Sequence, residues 1–172
     1  LGYDLWIGRF SKEQGQEVKR DEISAKRILI CIFGLMAVSI ACFTLEAVVV
    51  DYIPLFNSAP HAYSYFHISG VHYFTISCIL IPALTVLYTK VTEKISGRTW
   101  ILLIAGNLTA VAIPILCVSR FQLLFAVGFA AVMYLMLYKK ITWKMIVTGV
   151  LIMIPVYVLL TVARRHNVTY LN

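Results

Sequence analysis

The sequence predicts an all-α, polytopic integral membrane protein with five transmembrane helices. Three observations carry that prediction. Of 172 residues, 60% are hydrophobic and only 13% are charged, about half the charged share of a soluble domain. Mean hydropathy is +0.84. The fifteen Lys and Arg and eight Asp and Glu, net +7, sit in short islands between long apolar runs. A soluble fold of this size could not hide that much apolar surface, and disorder is excluded for the same reason. A nucleic-acid binder would need a basic patch on a polar domain, so the net charge implies no nucleic acid. Barrel strands are excluded because the runs are too long and do not alternate polar with apolar.

Crossing the hydrocarbon takes about 20 apolar residues, and five runs meet or approach that. Residues 1–27 form a charged cytoplasmic segment. The first span follows at 28–50, with Glu46 about one turn inside its far end. The second covers 68–88, the third 100–118, the fourth 121–138 and the fifth 145–162. Together, 28–162 make one membrane domain, and 163–172 begin an outer loop. Only Ser119-Arg120 separates the third and fourth spans, which forces a tight hairpin at the membrane surface. Pro82, Pro114 and Pro155 fall within spans, where proline is tolerated and kinks the helix. The chain opens without Met or a signal peptide, and it reads as an internal piece of a longer protein.

Orientation follows from the loop cations. Residues 1–27 carry six Lys and Arg, 89–99 carry three and 139–144 carry three. The alternate loops carry only Arg120, Arg164 and Arg165. Twelve cations against three place the first set in the cytoplasm and the second outside. The outer three are all arginines, while every lysine is cytoplasmic. All four histidines, His61, His67, His72 and His166, also fall on or near the outer face, as do Glu46 and Asp51.

Arginine keeps its charge and offers a planar fork of donors that grips phosphate oxygens two at a time. Arg120, held at a hairpin, is placed to hold the phosphates of a lipid-linked substrate; the plainer reading is an arginine snorkelling to headgroups. Arg164 and Arg165 are candidates for a second phosphate contact, with His166 beside them as a sugar contact. Histidines 61, 67 and 72 are six and five residues apart, which is no metal-ligand spacing. No metal and no cofactor are expected. An aromatic belt explains this loop most simply. His67 is a candidate general base, and His61, Tyr65 and His72 are candidate sugar contacts. Tyr52, Tyr63, Phe66 and Tyr73 could stack on sugar rings. Glu46, an acid inside the membrane, is a functional candidate by default: a catalytic base, or a partner for an outer arginine. Asn107 and Thr109 suit hydrogen bonding between helices. Cys31, Cys42, Cys78 and Cys117 lie in apolar runs without a CxxC pair and read as buried free thiols. No phosphate-binding glycine loop, GxSxG or HExxH is present.

Two segments carry a resemblance. Ile53-Pro54-Leu55-Phe56 followed by NSAPHAYSYFHISGVHYF resembles the outer-loop signature of bacterial oligosaccharide repeat unit polymerases, the O-antigen polymerase (Wzy-type) family. CVSRFQLLFAVGFAAVMYLML resembles that family's Ser-Arg hairpin. The likeness spans most of residues 50–165, in the same order. It implies a glycosyltransferase of the bacterial cytoplasmic (inner) membrane, multi-pass, with its active site facing the periplasm or exterior. Such an enzyme joins oligosaccharide repeat units carried on undecaprenyl pyrophosphate into O-antigen, capsule or exopolysaccharide. A chain-length regulator protein is a candidate partner, alongside the lipid bilayer. The resemblance implies that Arg120 holds the pyrophosphate. Many members carry an arginine soon after PLF, where this chain has His61. Two alternatives share the features above: an O-antigen ligase-like glycosyltransferase, and a transporter or flippase of lipid-linked sugars. The transporter predicts polar residues at mid-depth on several helices and repeats, and beyond small hydroxyls the mid-depth polarity here is nearly confined to Asn107.

Overall fold

The structure, a computed structural model, describes the backbone of residues 2–57, 62–92, 94–138 and of 147, 149, 151, 154, 155, 157, 158, 161 and 162, with side chains from residue 24 onward. The described residues contain helices and no strands. Among the described residues, four helices are long and apolar enough to cross a membrane: Ser24–Val50, Val71–Val91, Gly97–Leu116 and Arg120–Tyr138. The expected count was five. The fifth expected span, 145–162, falls on a stretch of which only nine residues are described, and those nine are helical.

The first span is the end of a longer helix, α1, Gly2–Val50, so the charged segment continues helically into the apolar run. Nothing between them breaks a helix: there is no proline, and every glycine is isolated. One face of α1 packs. Ile32, Ser39 and Glu46 are all fully buried and lie seven residues apart. Ala25, Leu29, Met36, Phe43 and Val50 fill the same stripe. A seven-residue repeat is the seam along which helices stay in contact over several turns. Ile30, Phe33, Val48 and Val49 are exposed on the other side, as suits a helix whose back faces lipid. Cys31 is exposed and Cys42 half-buried, while Cys78 and Cys117 are buried. The expected burial of all four thiols therefore fails for two, because only one stripe of α1 meets the protein.

The second span is composite. Helix α3, Val71–Thr75, gives way to a 3-10 stretch, Ile76–Leu80, and then to α4, Ile81–Val91. Pro82 explains the break. It has no N–H to donate to residue 78 and its ring crowds that carbonyl, so the turn before it winds more tightly. The Phe74 carbonyl there accepts from the hydroxyls of Ser39 at 3.1 Å and Ser77 at 2.7 Å. The Ser39 bond is a polar contact between α1 and the second span.

Helix α5, Gly97–Leu116, starts on Ser96, whose hydroxyl accepts the Thr99 N–H at 3.3 Å, a standard N-cap. Mid-helix, a Cβ added at Gly106 would stand 3.0 Å from Ile81 and 3.4 Å from Ile32. Glycine here lets α1, α4 and α5 converge. In lipid, where apolar burial between helices gains little, such close approach is a main source of cohesion. Asn107 donates across to Thr85 of α4 at 2.9 Å and to its own Leu103 carbonyl. Among the described residues, Thr109 donates within α5, to the Ala105 carbonyl. Helix α6, Arg120–Tyr138, returns antiparallel to α5 and packs most closely on α4.

Candidate functional site

The end of α1, loop residues 51–57 and 62–70, the start of α3 and the α5–α6 turn meet at one end of the bundle. These loop residues are well anchored. A single 3-10 turn, Pro54–Phe56, and a short helix, α2 (Ala62–Tyr65), shape them. Phe66 is 2% exposed and packs its ring on Phe43 and Tyr52. The Tyr52 hydroxyl donates to the Ala62 carbonyl at 2.9 Å. Burial first, and the neighbouring Tyr65 second, push the Tyr52 phenol above its ordinary range, so it stays a donor. Two of the aromatics that could have stacked on sugars, Tyr52 and Phe66, therefore hold the loop down. Tyr65 and Tyr73 point outward, with 70% and 75% exposure.

Glu46 is at the centre. Its side chain is fully buried, and among the described residues its hydrogen bonds run to the segment 68–75. The Ile68 N–H donates to Oε1 at 3.1 Å and the Thr75 hydroxyl to Oε2 at 2.8 Å. His72 Nδ1 lies 3.1 Å from Oε1 and 3.2 Å from Oε2. A buried acid is costly unless its oxygens are occupied, and here both are. A carboxylate only accepts, so the imidazole N–H at this contact is on Nδ1. That assigns the tautomer and leaves Nε2 as the acceptor edge. The His72 side chain is 29% exposed and lines a pocket.

The pocket measures about 140 Å³ and is bounded by Tyr63, Phe66 and His72 on one side and by residues 117–122 on the other. The second wall exists because of how α5 ends. Val118 N–H bonds to the Ile115 carbonyl and Ser119 N–H to the Pro114 carbonyl, each under 3 Å, with Val118 at φ 53°. This is the paired bonding of a Schellman C-cap, in which glycine normally takes the left-handed position. A β-branched residue there is strained by roughly 1–2 kcal/mol. The turn is Cys117–Val118–Ser119, and Arg120 is the first residue of α6 rather than part of the hairpin as expected.

Arg120 is steadied from a further direction. Its Nη1 donates to the Thr161 hydroxyl at 3.0 Å and, more weakly, to Tyr157 at 3.4 Å. The guanidinium also lies over the Tyr157 ring, 5.2 Å from its centre. Guanidinium has five N–H donors, and the bonds it makes among the described residues use Nη1 rather than Nε or Nη2. The α6 N-terminus adds the positive end of its dipole beside them. Gln122 Oε1, buried against the same pocket, has no hydrogen-bond partner among the described residues. The Cys117 thiol is buried in the same wall.

Of the expected site residues, His72 and Arg120 line this pocket, and Glu46 lies behind His72. His67 is exposed, with its ring 6.5 Å from that of His72, edge to face. Tyr65 is outside the pocket wall. His61, Arg164, Arg165 and His166 lie outside the described residues. Among the described residues no group of three His, Cys, Asp or Glu side chains is placed to hold a metal. Sequence reasoning did not pair Glu46 with His72, although the buried stripe of α1 was readable: Ser39 lies seven residues before Glu46 on the same face. Nor did it single out Gln122 or the strained Val118.

Comparison with protein-family models, with curated proteins and with solved structures finds no match to this chain. The fold and the pocket together define a class: an all-helical chain with several apolar helices consistent with a multi-pass membrane protein, closing a small polar pocket at one set of helix ends.

Proposed function

We propose that this chain is part of a membrane polymerase that joins undecaprenyl-pyrophosphate-linked oligosaccharide repeat units into a surface polysaccharide. The supporting observation is that Arg120 and His72, from helices far apart in sequence, line one pocket. A phosphate binder and a proton acceptor on a shared cavity are what glycosyl transfer from a pyrophosphate needs. The pocket is smaller than the roughly 300–1,000 Å³ of sites that enclose a whole ligand. It suits a reacting centre, with lipid and glycan extending out of it. Arg120, aided by the α6 N-terminus, offsets the charge that gathers on the pyrophosphate as its bond to the sugar breaks. Arg164 and Arg165 are further candidates for that contact. The site faces the exterior side of a bacterial cytoplasmic membrane, on the strength of the cation count in the loops.

The test is a polymer-ladder assay in cells lacking their own copy of the protein. Arg120→Ala is expected to abolish long chains. Arg120→Lys is expected to restore only short ones, since a point charge replaces a two-point grip. Full chain-length distribution in both variants overturns the proposal.

A further inference from the structure

We infer that Glu46 and His72 form a proton-accepting dyad, in which His72 Nε2 is the catalytic base and Glu46 is the residue that positions it. The inference rests on the polymerase reading and deepens it, because it names the group that activates the acceptor sugar.

The geometry carries the argument. Glu46 is fully buried and does not line the pocket. Both its oxygens are spent on the segment 68–75. An acid with no access to substrate acts through what it holds, and His72 is the ring it holds that also lines the pocket. With Nδ1 committed to Glu46, the ring cannot rotate freely, and Nε2 is the edge left for an incoming hydroxyl. This is the division of labour between carboxylate and imidazole in hydrolytic triads, reached on helices in an unrelated setting. The other titratable or charged groups facing His72 are His67 and Tyr63 from the loop and Cys117 and Arg120 from the opposite wall. None takes the place of Glu46 at Nδ1.

In the step assigned to the dyad, a hydroxyl of the acceptor repeat unit attacks the anomeric carbon of the donor chain. The new C–O bond forms there as the bond from that carbon to the pyrophosphate oxygen breaks. The bonding pair leaves with the pyrophosphate, whose added charge Arg120 meets. The hydroxyl proton passes to His72 Nε2, and the resulting imidazolium is stabilised by Glu46. The products are the lengthened chain on the acceptor's lipid and free undecaprenyl pyrophosphate, with the proton returned to water afterwards.

Glu46→Gln separates this role from a structural one. The amide keeps the shape and one acceptor, which the Ile68 N–H requires. Its NH2 then faces Thr75, while the retained oxygen still lies 3.1 Å from Nδ1 and can go on accepting from it. The ring keeps its orientation but loses the carboxylate charge that stabilises the imidazolium. The experiment uses membranes from cells that make the native repeat unit, and follows the initial rate of polymer formation against pH. Expected are losses of about 100-fold or more in both His72→Gln and Glu46→Gln, with no change in Lys90→Met. Undecaprenyl pyrophosphate titrated onto the purified variants should bind as to wild type, whereas Arg120→Ala should bind it more weakly. Nitrogen-15 histidine spectra should place the His72 proton on Nδ1 in wild type. A wild type that elongates while His72→Gln stays within about threefold of it, or a wild-type His72 protonated only on Nε2, overturns the dyad alone. A wild type that neither elongates chains nor binds undecaprenyl pyrophosphate overturns the dyad and the polymerase reading together.

Discussion

The two ends of the bundle are built differently. At the site end, a buried acid is held by three donors from a distant segment. Three residues there take left-handed backbone, Asp51, Gly70 and Val118, and among the described residues no others do. At the opposite end the contacts are local and ordinary. Ser96 caps α5, and Lys90 of α4 lies over the Tyr138 ring of α6 at 5.1 Å. Among the described residues, positive-φ backbone and the buried acid gather at one end, while the other has a capped helix start and a buried Thr92 hydroxyl without a partner. Such costs persist only where the surroundings over-determine them, and they gather at functional sites. The comparison therefore locates the site without reference to what it binds.

Breaking the site end should have the largest effect. Glu46→Ala leaves the Ile68 N–H, the Thr75 hydroxyl and His72 Nδ1 facing a void. A loss on the order of 3 kcal/mol is expected, read as a lower thermal midpoint in detergent, with the 51–70 loop becoming open to protease. An unchanged midpoint would show that the acid contributes nothing to joining α1 and α3. Asp51→Gly asks a finer question. Asp51 is exposed and follows α1 at φ 63°, a position glycine takes without strain. Stability should rise by about 1 kcal/mol or less, since no packed side chain is removed. Lys90→Met, at the plain end, should shift the midpoint by no more than about 0.5 kcal/mol, because an exposed cation over a ring is worth little. If Lys90→Met proved as damaging as Glu46→Ala, the contrast between the ends would collapse.

Much of the fold was legible from the chain. The third and fourth spans begin and end within three residues of their expected places, because continuous apolar runs bounded by charge or turn residues have few alternatives in lipid. The second was harder. Its run reads as one helix, but Pro82 divides it into α3, a 3-10 stretch and α4. The site was legible in parts. Glu46, His72 and Arg120 each stood out as polar residues in apolar surroundings. Their relation did not, since Glu46 and His72 are 26 residues apart and their meeting depends on how two helices face each other. The aromatic loop shows the opposite failure. Residue types that suit sugar binding also suit packing, and only burial distinguishes Phe66 from Tyr65.

By itself the sequence determined that this protein is helical, where its described spans run and which residues are too polar for their surroundings. Those follow from the solvent: lipid demands long apolar runs with every backbone group paired internally. The tertiary structure alone decided that Glu46 meets His72 rather than an arginine, that Arg120 opens α6 and leans on Thr161, and that His72 and Arg120 share a cavity. Those depend on helix rotation and close approach, set by small contacts such as Gly106 against Ile81. Hydropathy carries no record of them, because in lipid the apolar faces that touch and those that do not have nearly the same composition.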